Sequence, residues 1–191
     1  MNLATLALRN LRRRPGRSSI LVLSVGLAVA TALTLVSLST SIENSVRDAV
    51  DERGADATVS QRAASDVLSG IIPDNLAARL LSVSGVTGVA GELAMFAPVE
   101  RDQQMLVLGW SADSFFWKRL PLREGRRPND GETRVALLGP GAAERLNKRV
   151  GDEINVLDEK FRIVGITGHA SVFNRGIVIV PLRDLQEIGF R

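Results

Sequence analysis

Between Arg17 and Glu43 no side chain is charged, and Ser18 to Ile42 runs as 25 uncharged residues, SSILVLSVGLAVATALTLVSLSTSI. About 20 predominantly apolar residues cross the hydrocarbon core as a helix, so this stretch predicts a transmembrane helix with some tilt. A soluble protein would need a far larger core than this chain supplies to bury such a helix. The other reading is a cleavable signal peptide, with Ala28-Val29-Ala30 as a small-residue cleavage site. The apolar stretch continues through Leu38, longer than an ordinary signal segment, and a retained anchor is the better account.

Beyond Ile42 the pattern changes period. Ile42, Val46 and Ala49 keep helical spacing up to Arg53, and Gly54 is a natural helix stop. From there short segments of strand and helix alternate. Ala57–Gln61 reads as a strand and Asp74–Val83 as a helix with Leu76 and Leu80 on one face. Ala94–Val99 and Met105–Trp110 read as a hairpin around Arg101-Asp102-Gln103. Ser114–Arg119 reads as a short helix and Leu120–Gly131 as a loop rich in Pro, Gly and Arg. Strand Arg134–Leu138, helix Gly141–Lys148 and strand Glu153–Leu157 follow, then a turn at Asp158-Glu159. Strands Phe161–Thr167 and Ile177–Val180 and a helix over Leu182–Ile188 complete the chain. The fold class is therefore α+β, an N-terminal transmembrane helix followed by a mixed α/β extracytoplasmic domain.

Charge orients the span. Residues 1–17 hold five arginines and no acid, and acids follow the apolar run at Glu43, Asp48, Asp51 and Glu52. By the positive-inside rule the N-terminus stays in the cytoplasm and residues 54–191 lie outside. Leu3, Leu6, Ala7 and Leu11 form an apolar stripe opposite Arg9, Arg12 and Arg13. That suits an amphipathic cytoplasmic helix over residues 1–17, lying in the headgroup layer and broken at Pro15-Gly16; the alternative is a disordered basic tail. The divisions are thus 1–17, a span over 18–42 continuing as helix to about 53, and an outer domain over 54–191.

The net charge of +3 and the pI of about 10.1 suggest a nucleic-acid partner until the tail is set aside. The remaining 19 basic and 21 acidic residues leave a nearly neutral body. The absence of cysteine excludes disulfides, thiolate metal sites and cysteine nucleophiles, and a single histidine, His169, excludes any site needing two imidazoles. Gly139-Pro140-Gly141 follows a strand and opens a helix, as a dinucleotide-binding turn does. Glu144 stands where that turn needs Gly or Ala, and Pro140 removes an amide; a capping turn explains it better. Lys118, Arg119, Arg123, Arg126 and Arg127 lie beside Phe115, Phe116 and Trp117, which outside a membrane reads as a solvated loop over an aromatic core. No catalytic, cofactor-binding or metal-binding residue is expected, and no nucleic-acid partner. Within the span, Gly26, Ala30, Thr34, Ser37 and Ser41 form a stripe of small residues that would let another helix approach.

Ala7-Leu8-Arg9-Asn10-Leu11-Arg12-Arg13 before the span, Gly54-Ala55-Asp56 after it, Gly109-Trp110 and Leu122-Arg123-Glu124-Gly125-Arg126 stand in that order along the chain. They are followed by Val150-Gly151-Asp152-Glu153-Ile154, Phe161-Arg162-Ile163-Val164-Gly165-Ile166 and Val180-Pro181-Leu182. This set resembles the N-terminal half of ABC transporter permeases of the MacB/FtsX-like class, with their periplasmic core domain. The resemblance implies a bacterial cytoplasmic-membrane protein coupling a separate or fused ABC ATPase subunit on the cytoplasmic side to export or mechanotransmission. It implies as partners further permease spans or a second permease copy, the lipid bilayer, and an extracytoplasmic adaptor or substrate. The class carries four spans, one before the outer domain and three after it. With one span up to Arg191, the resemblance implies a fragment or a permease half. A membrane-anchored binding or adaptor module without transport is the alternative.

Overall fold

The computed structural model describes residues 15–61, 70, 72–73, 75–100 and 103–190, so the stretch expected as an amphipathic cytoplasmic helix lies almost entirely outside the described residues. Helix α1, Pro15–Arg53, runs 39 residues, about 58 Å at 1.5 Å per residue. Its segment Pro15–Ser45 is long and apolar enough to cross a membrane. Several hydroxyls in it are satisfied locally. Ser24 donates to the Ile20 carbonyl, Thr31 to Leu27 and Thr34 to Ala30, each at 2.8 Å. Back-bonding of this kind lets Ser and Thr sit in an apolar helix without leaving an unmatched donor.

By its contacts the chain divides into Met1–Asn44 and Ser45–Arg191. In the second unit the elements after α1 are α2 (Asn75–Leu81), β1 (Glu92–Val99), β2 (Gln103–Trp110), α3 (Phe115–Arg119), β3 (Leu122–Gly125), β4 (Val135–Leu138) and α4 (Pro140–Leu146). Then come β5 (Glu153–Val156), β6 (Glu159–Thr167), α5 (Val172–Arg175), β7 (Val178–Pro181) and α6 (Leu182–Gly189). The sheet order is β3-β6-β4-β7-β2-β1-β5, and β5 also pairs with β6. Six strands, β6-β4-β7-β2-β1-β5, therefore close into a ring, with β3 attached outside at β6. The seam between β1 and β5 is the Val99–Val156 pair.

Alternation along each strand fills the ring. Ala97 and Val99, Met105 and Val107, Ala136 and Leu138, Ile154 and Val156, Phe161 and Ile163, and Val178 and Val180 point into one cluster, two from each ring strand. Leu185 and Ile188 of α6 and Ala142 and Ala143 of α4 add to it. The opposite faces of the central strands carry Leu108, Trp110, Leu137, Val164 and Ile179, which pack with Phe116 and Leu120 in a second cluster. Strands β2, β4 and β7 are thus buried on both faces. That is why they read as continuous apolar runs rather than alternating ones.

Several expectations need correction. Ala57–Gln61 is exposed and pairs with no strand. The loop expected over Leu120–Gly131 contains β3, whose four residues are all exposed and so carry no apolar pattern. The turn between β5 and β6 falls at Leu157-Asp158, both at positive φ (49° and 65°), one residue before the expected place. Two successive left-handed residues fit the twist of a tight hairpin, and acid-rich sequence alone could not distinguish Asp158-Glu159. In β6, partners shift from Ala136–Ile163 to Leu137–Gly165. The extra residue is a bulge, so Ile166 faces the ring interior three positions after Ile163. Helix α5 has no counterpart among the expected elements. Gly139-Pro140-Gly141 does form a helix-opening turn, with Gly139 as the cap residue and Pro140 in the first turn.

Candidate functional site

The most organised polar site joins the end of α1 to the connection between β6 and β7. Glu52 lies in the last turn of α1. Its Oε1 accepts the amides of Ala170 (2.8 Å) and Ser171 (2.9 Å), and its Oε2 accepts the Ser171 hydroxyl (2.7 Å) and Asn174 Nδ2 (2.9 Å). Ser171 Oγ in turn accepts the Asn174 amide at 3.3 Å, the cap of α5. One carboxylate thus receives four donors from 118 to 122 residues away. Burial pushes the Glu52 carboxyl up. The hydroxyl of Ser171, the amide side chain of Asn174 and the backbone amides of Ser171 and Ala170 outweigh burial and bring it down to about 2.

The next turn adds a second attachment. Gly54 ends the helix at φ +65°, and its amide bonds back to the Asp51 carbonyl at 3.0 Å. The Gly54 carbonyl accepts Nη1 of Arg119, at the end of α3. A Cβ at Gly54 would meet only the flexible Arg119 side chain, which can shift, so it is the backbone conformation at positive φ that favours glycine here. Arg119 also lies over the Phe115 ring at 5.5 Å. Phe115 contacts Phe116 at 4.6 Å, and Phe116 contacts Trp110 of β2 at 5.1 Å. Trp110 Nε1 donates to Glu92 at 2.6 Å and Trp117 Nε1 to the Ser111 carbonyl at 2.8 Å, so both indoles are matched. The arginine-rich loop beside them is held by a forked pair: Arg126 Nη1 and Nη2 reach Glu132 at 2.7 and 2.6 Å.

His169 lies in the same connection and is buried, with Nδ1 3.0 Å from the Thr167 hydroxyl. It shares a narrow crevice with Glu52, Trp110, Arg119 and Asn174. The crevice is no larger than a water molecule, so it holds structure together rather than a substrate. Among the described residues no group of His, Asp and Glu is placed to hold a metal ion.

The residues singled out in the span lie apart from this junction. Gly26, Ala30, Thr34, Ser37 and Ser41 are all exposed within the chain, and a Cβ at Gly26 would meet nothing within 4 Å. The junction residues Glu52, Ser171 and Asn174 were missed from sequence. The only local signal was a Ser three residues before an Asn, and nothing local tied that pair to a glutamate so far away.

A sequence model described as the MacB-like periplasmic core domain matches residues 18–190, beginning inside the apolar run. No protein of curated function matches the chain. Among solved structures, one similar chain is the extracellular domain of the noncanonic ABC-type transporter YknZ from Gram-positive bacteria. It has a TM-score of 0.52 at 16% identity, covering 63% of this chain and 67% of that one. The periplasmic region of MacB from Actinobacillus actinomycetemcomitans gives a TM-score of 0.47 at 17% identity, covering 67% and 64%. The chain spans about two thirds of each of these structures. The fold shared with the YknZ domain and the match over residues 18–190 place the chain in the MacB-like periplasmic core domain family, the outer domain of ABC transporter permeases of the MacB/FtsX-like class.

Proposed function

We propose that the chain is a membrane-anchored permease component that couples a cytoplasmic ABC ATPase to work outside the membrane. The observation that carries this reading is the family match starting at Ser18, which takes in the apolar run and the ring domain together. The five arginines before the run support a cytoplasmic N-terminus, with residues 54–191 on the outer side of a bacterial cytoplasmic membrane. The partners are an ABC ATPase subunit, further permease spans or a second permease copy, and an adaptor or substrate outside. The stripe of Gly26, Ala30, Thr34, Ser37 and Ser41 would face the other spans, since close packing rather than hydrophobicity drives helix association in lipid.

Co-purification from native membranes tests the reading. An ABC ATPase subunit recovered in stoichiometric amount supports it. Recovery of the chain alone, or with an extracytoplasmic protein and no ATPase, overturns it in favour of an anchored binding or adaptor module. A reporter fused after Gly54 tests the topology, and activity only in the cytoplasm would refute it.

A further inference from the structure

We infer that Glu52 is a positioning residue that, together with the Gly54 carbonyl, fastens the last turn of α1 to the ring domain at two points. The helix end and the ring then move as one body. The inference deepens the reading above, because coupling across a membrane needs a stiff joint where the helix meets the outer domain.

The covalent path alone would not provide stiffness. Beyond Gly54, Ala55 packs against the second cluster, and from Asp56 to Gln61 the chain is exposed and belongs to no strand. A connection of that kind lets two bodies swing independently. The two attachments bypass it. The first runs from Glu52 to the 170–174 connection. That connection is itself pressed against β4: a Cβ at Gly139, at the end of β4, would lie 2.3 Å from the Arg175 carbonyl oxygen. The Gly139 amide also bonds the Ile177 carbonyl at 2.9 Å. The second attachment runs from the Gly54 carbonyl through Arg119 and the Phe115–Phe116–Trp110 ring stack to β2. The helix end is therefore tied to two different ring strands. Two separated ties resist rotation as well as translation, which one tie cannot do. The carboxylate also exceeds what helix capping needs. Ser171 alone caps α5, and Glu52 adds bonds to both backbone amides and both side chains.

The chain has no cysteine, so introduced pairs report distances without background. The test uses the full chain in lipid nanodiscs. One pair of nitroxide labels, at Asp48→Cys and Lys160→Cys, crosses the joint. A second, at Arg145→Cys and Lys160→Cys, lies within the ring domain. In Glu52→Ala the crossing distance distribution should broaden while the domain pair stays unchanged, with Glu52→Gln in between. Amide exchange at Ala170 and Ser171 should accelerate about tenfold, the effect of removing a charge-assisted hydrogen bond. An unchanged crossing distribution overturns the inference. So does equal broadening of both pairs, because Glu52 would then merely hold the domain's fold. Failure to recover an ATPase would remove the transport reading and leave this measurement untouched.

Discussion

Leu23 and Leu27 of the span are each 71% exposed, while Leu137 and Leu138 of the ring are fully buried. The same side chain thus does different work in the two regions. The ring domain supplies its own burial, with strands contributing inward residues from every side. The span leaves its apolar surface to be covered by something else, lipid or another helix. Sequence changes should accordingly act through volume in the ring and through surface in the span.

The largest test of that contrast is a cavity. Phe161 is fully buried inside the ring, beneath the Arg134 guanidinium at 5.6 Å. Phe161→Ala should destabilise the domain by about 3–5 kcal/mol, read as a fall in unfolding midpoint. Leu23→Ala, which removes apolar atoms from the span instead, should leave the domain's unfolding unchanged. Equal effects would mean that the span is packed against protein after all.

Two glycines make the same comparison with added volume. A Cβ at Gly139 would lie 2.3 Å from the Arg175 carbonyl oxygen and 2.7 Å from that of Asn174, both backbone atoms that cannot step aside. Gly139→Ala should cost on the order of 1–3 kcal/mol and loosen the 170–175 connection. Gly26→Ala, with nothing within 4 Å, should be silent in the same thermal measurement.

How much of this was legible in the sequence follows from the same division. The span was plain because 25 uncharged residues between charged ends depend on nothing elsewhere in the chain. The hairpin from β1 to β2 and the strands β4 and β7 were also readable, since local apolar runs marked them. What failed was non-local. Strand β3 exists only because β6 offers an edge, so its Leu-Arg-Glu-Gly carries no strand pattern of its own. The β6 bulge resets the alternation without a sequence sign. Ring closure rests on a single Val99–Val156 pairing that no spacing announces. Glu52 looked like one more flanking acid after a span, and its role appears only when the chain returns 118 residues later.

Acid separates the regions by sign. No titratable side chain lies between Arg17 and Glu43, so low pH acts on the outer domain. The Glu52 carboxyl, pushed up by burial but lowered further by its four donors, stands at about 2 against an ordinary 4.5. Glu132 is lowered to about 2 by the Arg126 fork and the Asn129 amide. Both carboxylates are more acidic folded than unfolded. Their contribution is complete above about pH 4.5 and is lost as pH falls towards 2. Asp184 opposes them: burial raises its carboxyl despite the Arg134 amide and charge, so protonation favours its folded form. Circular dichroism melts from pH 7 to 2.5 should therefore show stability falling below about pH 4.5, more shallowly in Glu52→Gln. A Glu52→Gln profile parallel to that of the original chain would show that ionisation of Glu52 adds nothing to the pH dependence of stability.

The smallest expected effect lies in the span and does not appear in folding at all. Gly26 and Ala30 sit four residues apart on one helix face, and the exposed surface around Gly26 is open. Gly26→Leu adds methylenes that favour the bilayer, so insertion should be unimpaired. If another span packs on this face, the added side chain holds the two backbones apart, at a cost on the order of 1 kcal/mol for each small residue so displaced. The effect would be read as weaker association in a membrane dimerisation assay or as less partner recovered on purification. Val25→Leu, one position round the helix, is the control, because lipid tails tolerate either side chain. Equal association in both variants would reduce the stripe to chance composition and leave the span a plain anchor. Weakening in Gly26→Leu alone would show that the span, like the ring, has one face shaped to fit protein.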